Sequence, residues 1–433
     1  MTRLQRIAAA IAAFAGLGAL TTAPAGAQTI AIQNARVVTM GSAGVIEDGD
    51  VIIQNGYIAA IGNDLTPPDG ATVIDATGRV VTPGFFAPYS QLGLEELGYD
   101  AEANDARPDE GFPFGASLDA IDAYNPTSPV IAVNRAGGVT RALTIPEAGG
   151  SLFGGQGAII DLSGRIGSVT KPHVAQSAML GFAGAARAGD TRLGAWALMR
   201  DMLDEAKTYA ANPRDYLLRK GEERYTAKDL KALGPVISGD EPLIVSINRA
   251  ADIRNLLRLK NDYNLKVIVL GGSEAWRVAR ELAAASVPVI LNPMDNLPAQ
   301  FEDMSATLAN AAKLNDAGVK IAFSNGDTFN LRLLPQLAGN AVAGGLSYDA
   351  ALAALTINPA TMFGLQSRLG SLEPGKAADV VVWDGDPLEL SSRPTAIFID
   401  GRQMSLENRQ TKLRDRYKDL SRGDLPFAYR GGN

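Results

Sequence analysis

Asp327 stands in the stretch Ser-Asn-Gly-Asp, directly after an apolar run that is typical of a β-strand. A carboxylate placed at a strand end could act as a general base, because barrel enzymes carry their reactive side chains there. The same side chain could instead cap the helix that follows, since Asp is a preferred N-cap residue. Asp327 is therefore a candidate catalytic residue, with helix capping as the alternative.

Three other acidic residues and one amide are candidate ligands. Asn248 and Glu274 each follow an apolar run and could bind a small molecule through hydrogen bonds. Glu274 could instead occupy the first turn of a helix, where the dipole favours an acid. Glu95 and Glu96 could hold Mg²⁺ or Ca²⁺ together with Asp327, because these cations accept all-oxygen sites. Solvation in an acidic loop is the alternative for the two glutamates.

Two further features could suggest chemistry but are better explained as structural. The stretch "GGSLFGGQGAII", residues 149–160, lacks the Gly-Lys-Ser/Thr ending of a phosphate-binding loop, so its glycines are expected in tight turns or a close strand contact. His173 is the only histidine in 433 residues, and it has no partner of the kind that a metal site or nucleophile needs. It is expected to be structural or solvent-exposed.

The first 27 residues have the pattern of a cleaved signal peptide. Arg3 and Arg6 precede an apolar run, and Ala25-Gly26-Ala27 resembles a cleavage site. Removing this segment changes the net charge from −7 to −9, which favours solubility and argues against nucleic acid or a membrane surface as partner. We expect a periplasmic or secreted protein, stable without disulfides because it has no cysteine.

Both ends of the chain are rich in predicted strands. Residues 28–83 alternate Val, Ile and Thr with polar residues, punctuated by Asp-Gly, Asn-Gly and Thr-Gly turns. Residues 371–406 have the same character. We expect the two segments to pair into one small composite β-sandwich domain, into which the rest of the chain is inserted.

The middle of the chain, residues 84–370, alternates short apolar runs with amphipathic stretches. Runs such as "PLIVSIN" and "LKVIVLGG" are separated by helical patterns such as "AADIRNLLRLKNDYN". The predicted fold is α/β, a (β/α)8 TIM-type barrel, with an acidic loop at 94–130. Residues 407–433 form a charged C-terminal tail that is predicted to begin as a surface helix.

Together with the β-rich segment near the start of the chain, two motifs resemble the amidohydrolase superfamily, and most closely its imidazolonepropionase- and prolidase-like enzymes. They are the corner "VTPGFFAPYSQLG" at residues 81–93 and the run "ALTINPATMFGLQSRLGSLEPGKAADVVVWDGDPL" near the other end. The resemblance covers nearly the whole mature chain. It implies a barrel hydrolase for non-peptide or dipeptide C–N bonds, which uses water bound to one or two divalent metals such as zinc.

Carried over residue by residue, the resemblance finds no histidine at the metal positions. The family's first two histidines fall on Tyr89 and Gln91, and the acidic residue that often precedes them falls on Ala87. The later histidine positions are Ser246 and Gly271. The late aspartate falls on either Gly326 or Asp327, depending on a shift of one residue, and no bridging lysine is placed.

The residues at these positions are poor metal ligands. Catalytic zinc takes three protein ligands, usually imidazoles or carboxylates, and an open position for water. A phenol, an amide, a hydroxyl and a glycine do not replace four imidazoles, so nothing would bring the pKa of a bound water from about 15.7 to about 7. The sequence predicts no metal and no cofactor, with Tyr89, Gln91, Ser246, Asn248, Gly271 and Glu274 available only as binding residues.

Three functions stay open at this point. The first is a degenerate amidohydrolase that forms a homo-oligomer, or a hetero-oligomer with an active, histidine-bearing paralogue. The second is an active hydrolase with a rebuilt site around Asp327. The third is a periplasmic protein that binds a small molecule or dipeptide in the barrel mouth.

Overall fold

The structure is a computed structural model that describes residues 29–98, 101–218 and 224–418. The predicted signal peptide lies outside these residues, as does most of the charged tail. Among the residues described, no helix combines the length and the apolar character needed to cross a membrane.

The two chain ends form one β-rich domain, as predicted. Its strands are β1 (Ile30–Val38), β2 (Val45–Gln54), β3 (Tyr57–Asn63), β4 (Thr72–Asp75), β5 (Val80–Pro83), β14 (Val380–Trp383), β15 (Pro394–Ile399) and β16 (Arg402–Gln403). The sheet has the order β16-β15-β14-β5-β1-β2-β3, with β4 also pairing with β1. The two ends join where β5 and β14 run antiparallel.

Local turn chemistry explains two hairpins of this domain. Asn55-Gly56 joins β2 to β3 and Asp400-Gly401 joins β15 to β16, and all four residues have positive φ. Two-residue turns of this kind match the twist of antiparallel strands and favour Asn-Gly and Asp-Gly. The alternating Val and Ile side chains then bury one face of the sheet in an apolar core.

The middle of the chain forms a nearly closed eight-stranded barrel sheet. The strands follow chain order, and each pairs with the next along the chain. They are β6 (Phe85–Ser90), β7 (Val139–Thr144), β8 (Phe153–Asp161), β9 (Val169–Met179), β10 (Leu243–Ile247), β11 (Val267–Gly271), β12 (Val289–Leu291) and β13 (Ile321–Phe323). An apolar residue from every strand fills the barrel interior, including Phe86, Ile244, Ile268 and Ile290.

Strand β8 departs from the predicted alternation. It lies in the glycine-rich stretch for which we expected tight turns or a close strand contact, and it runs antiparallel to both β7 and β9. A Cβ atom on Gly157 would lie 2.9 Å from the side chains of Ile145 and Leu143, so glycine allows this strand to pack closely. The connections on either side contain no helix, which is why the chain reverses direction there.

Helices surround the barrel. The α-helices are Ala120–Ala123, Pro129–Arg135, Gly181–Ala185, Arg192–Ala211, Pro213–Leu217, Ala227–Ala232, Gly234–Ser238, Ala250–Tyr263, Ala279–Ala284, Asn310–Asp316, Leu334–Ala343, Tyr348–Leu355, Ile357–Met362 and Arg409–Tyr417, with 3₁₀ turns at Ala101–Ala103, Ala275–Val278 and Thr328–Leu333. The predicted tail helix is present over Arg409–Tyr417, where Asn408 and Thr411 form a capping box.

Candidate functional site

The candidate site lies at the upper end of the barrel, which we define as the end where the parallel strands finish. Tyr89, at the end of β6, packs against the apolar barrel interior. Burial raises the pKa of its phenol above the ordinary value, and the negative charge of Glu147 raises it further. The phenol is therefore neutral at physiological pH.

Gln91 has its polar atoms occupied by neighbouring residues. It is 3% exposed, and its backbone N–H donates to the Thr328 hydroxyl at 3.0 Å. That hydroxyl donates in turn to Oε1 of Gln91 at 3.1 Å, while Nε2 donates to the Ile145 carbonyl at 3.4 Å. The side chain thus connects the ends of β6 and β7 with the segment after β13.

These contacts belong to a network that joins the first and last barrel strands. Ser324 Oγ donates to the Tyr89 carbonyl at 3.4 Å. The Asn134 amide donates to the Thr328 carbonyl at 2.8 Å and accepts from the Arg332 N–H at 2.9 Å. Side chains therefore hold the barrel together along this seam.

Gly271 and Asn248 meet at the ends of β11 and β10. A Cβ atom on Gly271 would lie only 2.5 Å from Oδ1 of Asn248, and Gly271 has a φ of +91°. The Asn248 side chain thus fills the space that a side chain at position 271 would need, and it also accepts from the Ser273 N–H at 3.4 Å. Ser246 faces Leu270 in the register of β10 and β11, one residue before this contact.

Glu274 is buried and both of its carboxylate oxygens are engaged. It is 5% exposed, and it accepts from the Ala250 N–H at 3.0 Å and from the Ser305 N–H at 3.1 Å. The first contact caps the helix Ala250–Tyr263, and the second fixes the loop before Asn310–Asp316. The carboxylate has a structural partner on each side.

Asp327 caps the 3₁₀ turn Thr328–Leu333, which is the alternative considered from the sequence. One oxygen accepts from the Phe329 N–H at 2.9 Å and the other from Nδ2 of Asn330 at 2.7 Å. Gly326 is exposed and has a φ of +66°. Whichever of the two positions matches the family aspartate, neither presents an unengaged carboxylate.

Acidic residues do approach one another at this end. Burial raises the pKa of Glu95, and the negative charges of Glu147 and Asp327 raise it further. Glu96 accepts from the side-chain amide of Asn125. Within residues 29–98, 101–218 and 224–418, no three His, Cys, Asp or Glu side chains are placed to hold a metal.

Glu147 was missed by sequence reasoning although it had a usable signal. It lies shortly after the end of β7, at the strand end where barrel proteins carry functional side chains. Burial raises its pKa, and the charges of Arg107 and Arg187 oppose that effect. His173, by contrast, lies in the first half of β9 at the other end of the barrel, where Nε2 contacts Oδ2 of Asp119 at 2.6 Å.

The residues at the family's metal positions do not fit a divalent metal. The phenol of Tyr89 is buried with a raised pKa, the amide of Gln91 is engaged, and a side chain at position 271 would have to displace that of Asn248. Ser246 alone cannot supply the three ligands that a catalytic zinc requires.

Known proteins resemble this chain over most of its length. A sequence profile of the amidohydrolase family matches residues 263–408. The amidohydrolase tasK of Hapsidospora irregularis is 26% identical over 393 residues, which cover 82% of this chain but only 39% of that protein. The imidazolonepropionase of Geobacillus kaustophilus is 25% identical over 390 residues, covering 80% of this chain and 86% of the relative.

The fold is similar to that of a solved amidohydrolase. The crystal structure of an amidohydrolase from Thermotoga maritima superimposes with a TM-score of 0.78 at 28% sequence identity. The match covers 87% of this chain and 99% of the solved one.

Proposed function

Because this chain belongs to the amidohydrolase superfamily, we propose that it is an exported member that has lost metal-dependent hydrolysis and acts as the partner of a histidine-bearing relative. The observation that carries the proposal is the contact between Asn248 and Gly271. The Oδ1 atom of Asn248 would lie 2.5 Å from a Cβ at position 271, so a histidine at that position would have to displace the Asn248 side chain.

The hydrogen bonds of Gln91 support the same conclusion. In a metal-dependent relative, ligands from the first and last strands would be linked through the metal. Here Gln91 and Thr328 link the same two strand ends directly. A buried amide with satisfied hydrogen bonds stabilises the fold, whereas a lone buried ligand without its metal would be destabilising. The hydrogen bonds of Gln91 can therefore stabilise the fold without a metal.

An exposed apolar patch beside the upper end supports a protein partner. It consists of Phe182, Leu193 and Phe301, which are 61%, 84% and 93% exposed. Glu302, next to Phe301, links the segments that carry these residues, because it accepts from the Phe182 N–H at 2.9 Å and from Arg192 at 3.0 Å. Large exposed apolar side chains on a rigid support are typical of interaction sites. We call this surface the Glu302 patch.

The experiment is co-expression of the mature chain with a histidine-bearing superfamily member from the same genome, followed by affinity capture of that relative. We expect the two chains to co-purify, and Phe301→Ser to weaken association by about tenfold or more, as central aromatic residues of interfaces do. Ile166→Ser is the matched control, because Ile166 is 95% exposed but lies on the loop between β8 and β9.

Activity is measured on the same samples. The chain alone should not hydrolyse dipeptides, lactams or other C–N substrates above the buffer rate, while the histidine-bearing relative serves as the positive control. Hydrolysis by the purified chain that is lost in Asp327→Ala would overturn the proposal in favour of a rebuilt site. Failure to co-purify would overturn the pairing while leaving the loss of hydrolysis standing.

A further inference from the structure

A groove of about 1020 Å³ opens at the lower end of the barrel, where the parallel strands begin. Its wall includes the residues just before β10, β11, β12 and β13, together with residues 361–364. We call it the lower groove. It lies at the opposite end of the barrel from the residues at the family's metal positions, so the function proposed for the upper end does not explain it.

A buried carboxyl group without a partner lies in the wall of this groove. Glu241 is 8% exposed, and its Oε2 atom is buried with no hydrogen-bond partner. Its backbone is held in place, because its N–H donates to the Pro235 carbonyl at 3.0 Å after the left-handed turn at Gly239. Leaving a buried polar atom unpaired is unfavourable, so this oxygen is a candidate to accept a hydrogen bond from a bound molecule.

Basic side chains outnumber acidic ones in the wall of the lower groove. Two acidic residues, Asp240 and Glu241, line it together with four lysines, Lys171, Lys260, Lys266 and Lys320. Asp240 already accepts from the Ser238 hydroxyl at 2.6 Å, and Lys171 donates to the Phe363 carbonyl at 3.3 Å. The ammonium groups of Lys266 and Lys320 contact no carboxylate within the described ranges.

The one histidine of the chain is also in the wall. His173 pairs with Asp119 rather than with Glu241, at 2.6 Å between Nε2 and Oδ2. Burial raises the pKa of Glu241 to about 7, with the positive charges of His173 and Lys171 opposing the rise. The charges of His173 and Lys171 therefore only partly offset the effect of burial on this carboxyl group.

We propose that the lower groove binds a zwitterionic amino carboxylate of about dipeptide size, with its ammonium group at Glu241 and its carboxylates at Lys266 and Lys320. A carboxyl group in a desolvated wall is a good acceptor for an ammonium, because a charge-assisted hydrogen bond is stronger than a neutral one. The lysines at the rim select for an anion at the other end of the same molecule. This binding site is independent of the function proposed above.

The experiment compares two probes that differ only at the amine. The purified full chain is titrated calorimetrically with L-alanyl-L-glutamate and with its N-acetylated form, in which the ammonium is removed. We expect saturable binding of the free dipeptide and binding of the acetylated form weaker by about tenfold or more, the effect of one lost charge-assisted contact. No saturable binding of either probe, or equal binding of both, would overturn the proposal.

Three variants locate the site. Glu241→Gln keeps the shape of the side chain and should bring the two probes to within about twofold of each other by removing the charged contact. Lys266→Ala combined with Lys320→Ala should weaken both probes together. Lys231→Ala is the matched control, since Lys231 is an exposed lysine outside the groove. Unchanged discrimination in Glu241→Gln would contradict the assignment of the ammonium to this carboxyl group.

Discussion

Two buried carboxyl groups at opposite ends of the barrel, Glu274 and Glu241, differ in whether the protein supplies their hydrogen-bond partners. At the upper end, Gln91 and Glu274 are almost fully buried and each has protein partners for its side-chain oxygens. At the lower end, Glu241 is as deeply buried, yet one oxygen has no partner. Since unpaired burial is unfavourable, this difference supports both proposals, a structural role for the upper end and ligand binding in the lower groove.

Asp379 is a buried carboxylate whose hydrogen-bond and ion-pair partners are all supplied by the protein. Arg141 on β7 contacts Asp379 at 2.6 Å and also Asp400, so the barrel is tied to the β-rich domain. Both Arg141 and Asp379 are buried. Unlike Glu241, Asp379 also accepts from the Asp400 N–H at 3.0 Å.

The largest expected effect comes from breaking that pair. Arg141→Met should lower the free energy of unfolding by about 3–5 kcal/mol, because it leaves Asp379 buried without its cation. Urea denaturation followed by circular dichroism measures the change. Arg36→Met is the control, since Arg36 and Glu47 form an exposed pair at 3.0 Å that should contribute less than about 1 kcal/mol. A similar loss of unfolding free energy in Arg141→Met and Arg36→Met would contradict the expectation that the buried pair stabilises the fold more than the exposed one.

The contact between Gly271 and Asn248 gives the next largest effect. Gly271→His should lower the free energy of unfolding by about 2–3 kcal/mol, from the clash with Asn248 together with strain at positive φ. Combining it with Asn248→Gly should recover about 1 kcal/mol as a coupling energy. Gly326→His isolates the strain, because Gly326 has positive φ but no neighbouring atom within 4 Å of the place where a Cβ would be. Additive effects of Gly271→His and Asn248→Gly would show that Asn248 does not fill the space beside position 271.

The unpartnered carboxyl group should appear in the pH dependence of stability. Because the folded-state pKa of Glu241 is raised from 4.5 to about 7, the unfolded chain ionises first as the pH rises, so this residue destabilises the fold progressively between those values. Glu241→Gln should therefore match the parent at pH 4 and exceed it by about 1–2 kcal/mol at pH 8, after allowing for solvent screening. An equal difference at both pH values would contradict this reasoning.

The smallest effect is expected at Asp327. Asp327→Ala should lower the free energy of unfolding by about 1 kcal/mol, the usual consequence of losing a helix cap. Asp327→Asn should retain most of that stability, because asparagine caps nearly as well. Thermal denaturation of the two variants distinguishes capping from a role that needs the negative charge. If the negative charge were needed, both substitutions would have the same effect.

Much of the fold could be predicted from local signals. The hairpin at Asn55-Gly56 and the apolar runs of β10 and β11 carry their structure in neighbouring residues. Strand β8 could not be recognised, because Gly154 and Gly157 are typical of turns and their need for close packing arises only when Leu143, Ile145 and Ser177 come near. Tertiary contacts override the local preference there.

The candidate site was likewise only partly predictable from the sequence. Residue types alone indicated that Tyr89, Gln91, Ser246 and Gly271 are poor metal ligands. The partner of Gln91 is 237 residues away along the chain, so its engagement with Thr328 had no local signal. Likewise, Glu241 stands before a strand like many surface acids, and only the folded structure buries its oxygen without a partner.

The central claim is that the upper end of the barrel no longer binds a catalytic metal. The most direct test is metal analysis by inductively coupled plasma mass spectrometry on untagged mature protein, incubated with excess zinc and then dialysed. We expect well under about 0.1 equivalent of zinc per chain, since the ligand set that a zinc site needs is missing. Retention of about one or two equivalents would contradict the account and would mean that a metal centre has been rebuilt from other ligands.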